Sequence, residues 1–328
     1  MSLRVVVANL GSPASPSRAH VREFLGEFLT DPYVIDLPSP IRQMLVKGFA
    51  APLRSKRSSV AYKSIWSHEG GPLRYFTEAI AQELRHEDLP AVAGMRYGEP
   101  SILRAFESEP YANHIVLVPL YPQYADSTIT TMVDHARRFL GDRRLSVIAP
   151  FFDRPEYLEA LSQHTNSELR SDIEHIVISF HSLPERHISK ADPTGAHCLK
   201  SSNCCVMNSV AHATCYRHQC LQTAHSLGEN LGIPFSVSFQ SRLGRLKWLE
   251  PSTVQTIRNL AARGIRRIAV VCPSFTVDNL ETLEEIGIQA RKLFLSLGGH
   301  ELQLISSLNT DSAWIRFLVK LIREEIEK

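Results

Sequence analysis

The side chains best able to do chemistry fall into a few short runs. Five of the six cysteines, Cys198, Cys204, Cys205, Cys215 and Cys220, crowd one segment, HCLKSSNCCVMNSVAHATCYRHQC, with the spacing C-x5-C-C-x9-C-x4-C. Structural cysteines are usually scattered as small core hydrophobes, whereas clustered thiolates suit an Fe–S cluster or zinc. Cys215 and Cys220 are five apart, about 140° around a regular helix, so both reach one cluster only if the helix begins after Cys215. His197, His212 and His218 leave a mixed Cys/His zinc site open. Cys272, inside an apolar strand, reads as a core residue.

A second run, SFHSLPER at residues 179–186, puts His181 at the mouth of a buried strand. A neutral imidazole there can accept a proton or bind a divalent metal, although a histidine at a strand end is more often structural. Ser182 beside it lacks a Gly-x-Ser-x-Gly elbow, which argues against hydrolysis. A third run, VCPSFTVDNLETLEE at residues 271–285, carries Glu281 and Glu285 four apart on one helical face. Paired carboxylates facing a cleft can relay protons or guide a cation. Asp278 with Glu281 equally fits the spacing of a capping box, with acidic groups complementing the helix dipole. PLYPQYADST at residues 119–128 places Tyr121, Tyr124, Ser127 and Thr128 after a strand, a mix suited to a flat aromatic ligand with polar edges, while Pro122 and Asp126 equally suit a turn and cap. In GMRYGEPSI, Arg96 and Tyr97 could pair a ligand carboxylate with aromatic packing.

The elements that must position these residues alternate in kind. Apolar runs at residues 4–9, 114–120, 145–149, 175–180, 235–239, 267–272 and 302–305 predict buried parallel strands. Helical period falls near residues 210–231, 252–263, 279–294 and 311–328. This is α/β architecture, two Rossmann-like or flavodoxin-like halves, each a parallel sheet flanked by helices. The expected division is residues 1–155, residues 156–308 with the Cys-rich insert at 197–220, and a C-terminal helix at 309–328 packing back on the body. Ligands of such sheets bind beyond the carboxyl ends of the strands, which places residues 10–13, 121–128, 181–186, 240–245 and 273–285 around an expected cleft between the domains. No Gly-x-Gly-x-x-Gly loop follows the first strand and no P-loop occurs, so a dehydrogenase or P-loop enzyme is disfavoured.

Composition narrows the function classes further. With 36 Lys and Arg against 34 Asp and Glu, the net charge of +2 gives no strong electrostatic pull toward nucleic acid or anionic lipid. The longest apolar runs fall far short of the roughly 20 residues a membrane-spanning helix needs. The N-terminus shows no signal-peptide pattern, and the thiols fit a reducing cytoplasm. Residues 42–57, RQMLVKGFAAPLRSKR, mix basic and apolar side chains and suit either transient contact with a membrane surface or a solvated helix and loop. Oligomeric state is not readable.

Together these runs resemble the ferrochelatase family. LGSP at Leu10, EFLTDPYVIDLP at Glu27, EGGPL at Glu69, GMRYGEPSI at Gly94, PLYPQYADST at Pro119, HSLPER at His181, FQSRLGRLKW at Phe239 and CPSFTVDNLETLEE at Cys272 follow one another in the family's order over nearly the whole chain. The resemblance implies a lyase that inserts Fe²⁺ into a porphyrin at the end of haem synthesis, with the porphyrin in a cleft between two Rossmann-like domains. It assigns His181 and Glu281 to the family's invariant active-site pair, His181 as proton acceptor or initial iron ligand, and Glu281, backed by Glu285, as proton carrier or metal guide. It also places Leu10, Arg96, Tyr97, Tyr124, Ser127, Thr128 and Trp248 around the porphyrin.

Three positions depart from many relatives. Gln289 interrupts the acidic ladder beyond Glu285, Asn279 stands where some relatives have His, and Leu10 stands where the coproporphyrin-using branch has Tyr. The last favours protoporphyrin IX over coproporphyrin III. The Cys-rich segment resembles an insert that carries a [2Fe-2S] cluster in certain bacterial ferrochelatases, which implies Cys198, Cys205, Cys215 and Cys220 as ligands, with Cys204 competing for the second place and zinc as the alternative metal. A cobalt or sirohydrochlorin chelatase of the same superfamily, and a non-catalytic haem-carrying or iron-sensing protein, are the competing readings.

Overall fold

A computed structural model describes residues 2–242 and 246–328. Among these, eight strands form two four-stranded parallel sheets. The first comprises β1 (Leu3–Asn9), β2 (Ala91–Met95), β3 (His114–Pro119) and β4 (Arg144–Val147), in the order β2-β1-β3-β4. The second comprises β5 (His175–His181), β6 (Phe235–Gln240), β7 (Arg267–Val271) and β8 (Glu301–Leu304), in the order β6-β5-β7-β8. Helices follow the strands in both, as parallel pairing demands a crossover.

The chain condenses into two compact units. One holds Met1–Leu120, Asp126–Ala149 and Ile315–Lys328, and the other holds Tyr121–Ala125 and Pro150–Trp314. In the first unit Val5, Val6, Val7 and Ala8 of β1 are fully buried, as expected for a central strand covered on both faces. In the second, Val177, Ile268 and Val270 pack with Ile257, Leu260, Ile286 and Phe294 in one core cluster, and Cys272 belongs to it.

β2 is not among the strands the apolar runs predict. Its sequence, AVAGM, has weak strand propensity because space beside β1 is short. A Cβ on Gly94 would lie 2.7 Å from Val6 Cγ1 and 3.2 Å from Ile102 Cα, so only a bare backbone fits. Two helical expectations also change. Residues 210–231 divide into a 3₁₀ turn, Val210–Ala213, and a helix, Tyr216–Leu231. Residues 279–294 are not a plain α-helix: Glu281–Ala290 is π-helical and Arg291–Ser296 is α-helical, and the Arg291 N–H reaches back five residues to Ile286 O. π-helical turns are rare and concentrate at functional sites.

Candidate active site

Each sheet has its topological switch where the chain leaves the central strand for opposite sides, between β1 and β3 and between β5 and β7. Open parallel sheets bind ligands at that edge. In the second unit the switch is built from the carboxyl ends of β5 and β7, and His181 is the last residue of β5. Its backbone N–H donates to Ser274 Oγ at 3.0 Å, just beyond β7, and its carbonyl accepts from Tyr216 Oη at 2.8 Å. The ring lies edge-on to Phe275, with centroids 6.1 Å apart. Nδ1 is 2.7 Å from Ser182 O; a carbonyl only accepts, so Nδ1 carries the proton and Nε2 the lone pair. Burial depresses the imidazole to about 4, so it is neutral at pH 7.

The π-helical segment after β7 carries the carboxylates. The expected capping box between Asp278 and Glu281 is shifted by one residue. Asn279 Oδ1 accepts from the backbone N–H groups of Glu281 at 2.9 Å and Thr282 at 3.1 Å, and Thr282 Oγ1 in return accepts from Asn279 N–H at 3.1 Å. Asp278 instead accepts from the Thr282 hydroxyl and from Asn309 Nδ2. Capping therefore makes no demand on the Glu281 carboxyl. Burial, then the charge of Glu285, raises it to about 7.

Glu285 is gripped by Ser241, beyond the end of β6: Oε1 accepts from the Ser241 N–H at 2.9 Å and Oε2 from its hydroxyl at 2.5 Å. Gln289 donates to both oxygens of Glu284, at 2.9 and 2.7 Å, so the interrupted ladder position holds a neighbour rather than extending a relay. The second unit also holds Tyr124, whose backbone N–H donates to Gln219 Oε1 at 2.7 Å, and buried Trp248, whose backbone bridges Pro184 next to the His181 loop. Residues 243–245 of the FQSRLGRLKW run lie outside the described residues.

The first unit holds the other expected porphyrin contacts. The β1–β2 ladder continues past both strands, with Arg96 N–H donating to Asn9 O and Tyr97 N–H to Leu10 O, both at 2.9 Å. This sets Leu10 beside Arg96 and Tyr97. Gly11 makes the approach feasible: its φ is 105°, and a Cβ there would lie 1.9 Å from Tyr97 O. The Arg96 guanidinium donates to Asp31 Oδ2 at 2.5 Å and Thr131 Oγ1 at 2.7 Å, and it stacks over the Tyr97 ring at 4.4 Å. Asp31, which motif reading did not single out, is thus the partner of Arg96. Ser127 and Thr128, both half-buried, sit on a π-helical turn, Asp126–Thr130. A groove of about 640 Å³ lined by Tyr75, Gln82, Arg85 and Arg104 also lies in this unit and includes none of these residues.

All five clustered thiols are buried and free of disulfides. The helix starts at Tyr216 with Cys215 in an extended cap conformation, the geometry required for Cys215 and Cys220 to reach one point. Cys205 and Cys198 donate to Cys215, whose thiol is lowered by those hydrogen bonds and by the His218 N–H. Cys204 Sγ lies 4.0 Å from Cys205 Sγ, and Arg217 donates to both, at 3.8 and 3.4 Å. Cys220 is deeply buried and hydrogen-bonded to Tyr216, and burial pushes its thiol up. His197 and His212 each turn a ring nitrogen to Cys204 O, and His218 turns one to Cys205 O. The donor chemistry fits a thiophilic metal: Cys205 and Cys198 hydrogen-bond to Cys215, and Cys204 reaches this group through Cys205. Among the described residues, however, no group of three or more His, Cys, Asp or Glu side chains is arranged as a ready metal cage.

Comparison with known proteins identifies the family. The ferrochelatase family matches residues 3–326. The ferrochelatase of Pseudomonas fluorescens (strain Pf0-1) is 47% identical over 329 residues, covering 97% of this chain and 96% of that protein. The ferrochelatase of Azotobacter vinelandii is 46% identical over 332 residues, covering 97% and 98%. Among solved structures, SirB from Bacillus subtilis with Fe³⁺ superposes with a TM-score of 0.55 at 13% identity over 99% of this chain and 96% of that one. SirB of the subspecies spizizenii with cobalt gives 0.51 at 15% identity, covering 80% and 92%; both likenesses concern the fold alone. On this evidence the chain belongs to the ferrochelatase family.

Proposed function

We propose that the chain inserts Fe²⁺ into protoporphyrin IX, with His181 and Glu281 handling the metal and the protons. Membership of the family makes it a porphyrin metal chelatase, a lyase. The observation that carries the residue assignment is the placing of His181 at the carboxyl end of β5 and of Glu281 on the segment that follows the adjacent strand β7, the imidazole held neutral and the carboxyl raised by burial. A porphyrin takes up a divalent metal only by losing two pyrrole protons. His181 Nε2, unprotonated at pH 7, can accept the first or hold the incoming iron. Glu281, titrating near 7, can take a proton and release it again at the same pH, which is the property a proton carrier needs. Glu285, fixed by Ser241, supplies a stationary negative charge that favours an approaching cation. No electrons are exchanged, and two protons leave as one Fe²⁺ enters.

Leu10, Tyr97, Ser127 and Thr128 are the contacts to the macrocycle proposed within the first unit, and Tyr124 and Trp248 those proposed within the second. Arg96 acts through its pairing with Asp31, which holds the guanidinium in one orientation. Leu10 supports protoporphyrin IX over coproporphyrin III. Anaerobic incubation with Fe²⁺ and each porphyrin, followed by the haem absorption spectrum, tests this: protoporphyrin haem should form, and His181→Ala should abolish it. A variant as fast as the wild type sinks the assignment, and faster turnover of coproporphyrin III sinks the substrate choice.

The gathered thiols support a [2Fe-2S] cluster at Cys198, Cys205, Cys215 and Cys220, with Cys204 competing for the place of Cys205 and zinc as the alternative metal. A cluster bound there would tie residues 198–220 together through Fe–S bonds. Visible absorption of freshly purified protein checks it, and colourless protein carrying stoichiometric zinc replaces it. The six free thiols support a reducing, cytoplasmic setting. No described helix is long and apolar enough to cross a membrane. Ile41, Met44, Phe49, Leu53 and Val60 are nevertheless exposed on successive helical segments between Ser39 and Ile65, beside Lys47, Lys56 and Arg57, which supports surface contact with anionic bilayers. Co-sedimentation with anionic but not neutral vesicles is the expected result.

A further inference from the structure

The loop after β6 contains a residue that motif reading passes over. Ser241 has φ 64°, in the left-handed region that costs a side chain with a Cβ and that glycine adopts freely. Glycine would be the conformationally easy choice, and serine occupies the position. Its hydroxyl and its own backbone N–H grip the two oxygens of Glu285, 44 residues ahead in the chain. One residue therefore fixes the plane of a carboxylate from both sides. The next residue, Arg242, pairs with Glu250 at 2.6 Å and donates to Leu249 O at 3.2 Å. Leu249 N–H in turn donates to Leu183 O at 3.0 Å, and Glu185 N–H to Lys247 O at 2.9 Å. The loop thus binds the Glu285 helix at one end and the segment following His181 at the other.

We propose that Ser241 is a positioning residue for metal insertion, holding Glu285 in one orientation relative to Glu281 and joining the carboxylate helix to the loop that carries Trp248. This rests on the assignment of Glu285 to the working site, and the test separates the two. Ser241→Gly keeps the N–H, relieves the backbone by losing the Cβ, and removes the hydroxyl with it, so a purely structural serine would tolerate it. Loss of one hydrogen bond to a charged group should lower kcat about tenfold, raise KM for Fe²⁺ and leave KM for porphyrin unchanged. Glu285→Gln and the double variant complete the cycle, and Ser241→Gly should cost little once Glu285 is Gln. Wild-type kcat in Ser241→Gly, or losses that simply add in the double variant, would overturn the proposal. Wild-type activity in Glu285→Gln would overturn the underlying assignment instead.

Discussion

Replacing Glu281 by Gln should make the protein more stable while destroying its activity, and the gain should depend on pH in a defined way. The Glu281 carboxyl is pushed from 4.5 to about 7, chiefly by burial. Between those values the folded chain keeps a proton that the unfolded chain has released, so stability falls as pH rises. At about 1.4 kcal/mol per unit, the shift costs about 3 kcal/mol once the pH exceeds 7. His181 works in the opposite sense. Its imidazole falls from 6.5 to about 4, so between those values the unfolded chain binds a proton that the folded chain refuses, and stability rises with pH. From pH 4.5 to 6.5 the two slopes oppose one another with similar size and largely cancel in the wild type. Glu281→Gln removes one of them. Its stability relative to wild type should be nearly unchanged at pH 4.5, where the wild-type carboxyl is neutral when folded, and should climb to about 3 kcal/mol of extra stability by pH 8. Urea denaturation of both proteins over this range measures the difference, and titrations common to both drop out. A difference independent of pH, or a variant less stable at pH 8, would refute the reasoning. In a Glu285→Gln background the gain should shrink, because the neighbouring charge is the second cause of the shift.

Two further changes probe the first unit. Asp31→Ala leaves the Arg96 guanidinium, 13% exposed, without its buried counter-ion; it should lower unfolding free energy by about 3–5 kcal/mol, measured by chemical denaturation, and a loss under 1 kcal/mol would show the pair to be dispensable. Gly11→Ala would force a Cβ against Tyr97 O and a side chain into φ 105°, so Leu10, Arg96 and Tyr97 must separate. A clear drop in Tm should accompany weaker porphyrin binding, and an unchanged Tm would count against the tight β1–β2 approach.

What the chain makes legible in advance is what depends on neighbours in sequence. Buried parallel strands are apolar throughout, so β1, β3, β5 and β7 stand out within a residue or so of their bounds. The place of His181 is legible for the same reason, because the residue that ends such a run lies at the carboxyl edge of the sheet. The helix start at Tyr216 follows from angular geometry alone, given that Cys215 and Cys220 are to face one point. β2 escapes because its small residues answer to Val6 and Ile102, which are remote in sequence. Between Asp278 and Thr282 two overlapping capping patterns compete, and the choice of Asn279 depends on Asp278 being taken by Asn309, thirty-one residues on.

Ser241 is the sharpest case of the second kind. A serine after a strand carries no local signal of function, and its meaning comes from a positive φ and a partner on another element. Motif reading finds groups that touch substrate because their chemistry is in the side chain itself. It misses the residues that aim them, because aiming is a relation between segments that only folding brings together. The same logic makes Arg96 visible and Asp31 invisible, although the short contact between them decides which way the guanidinium points. An engineered relative that kept every motif side chain and altered Asp31 or Ser241 would retain the site's composition and lose its geometry.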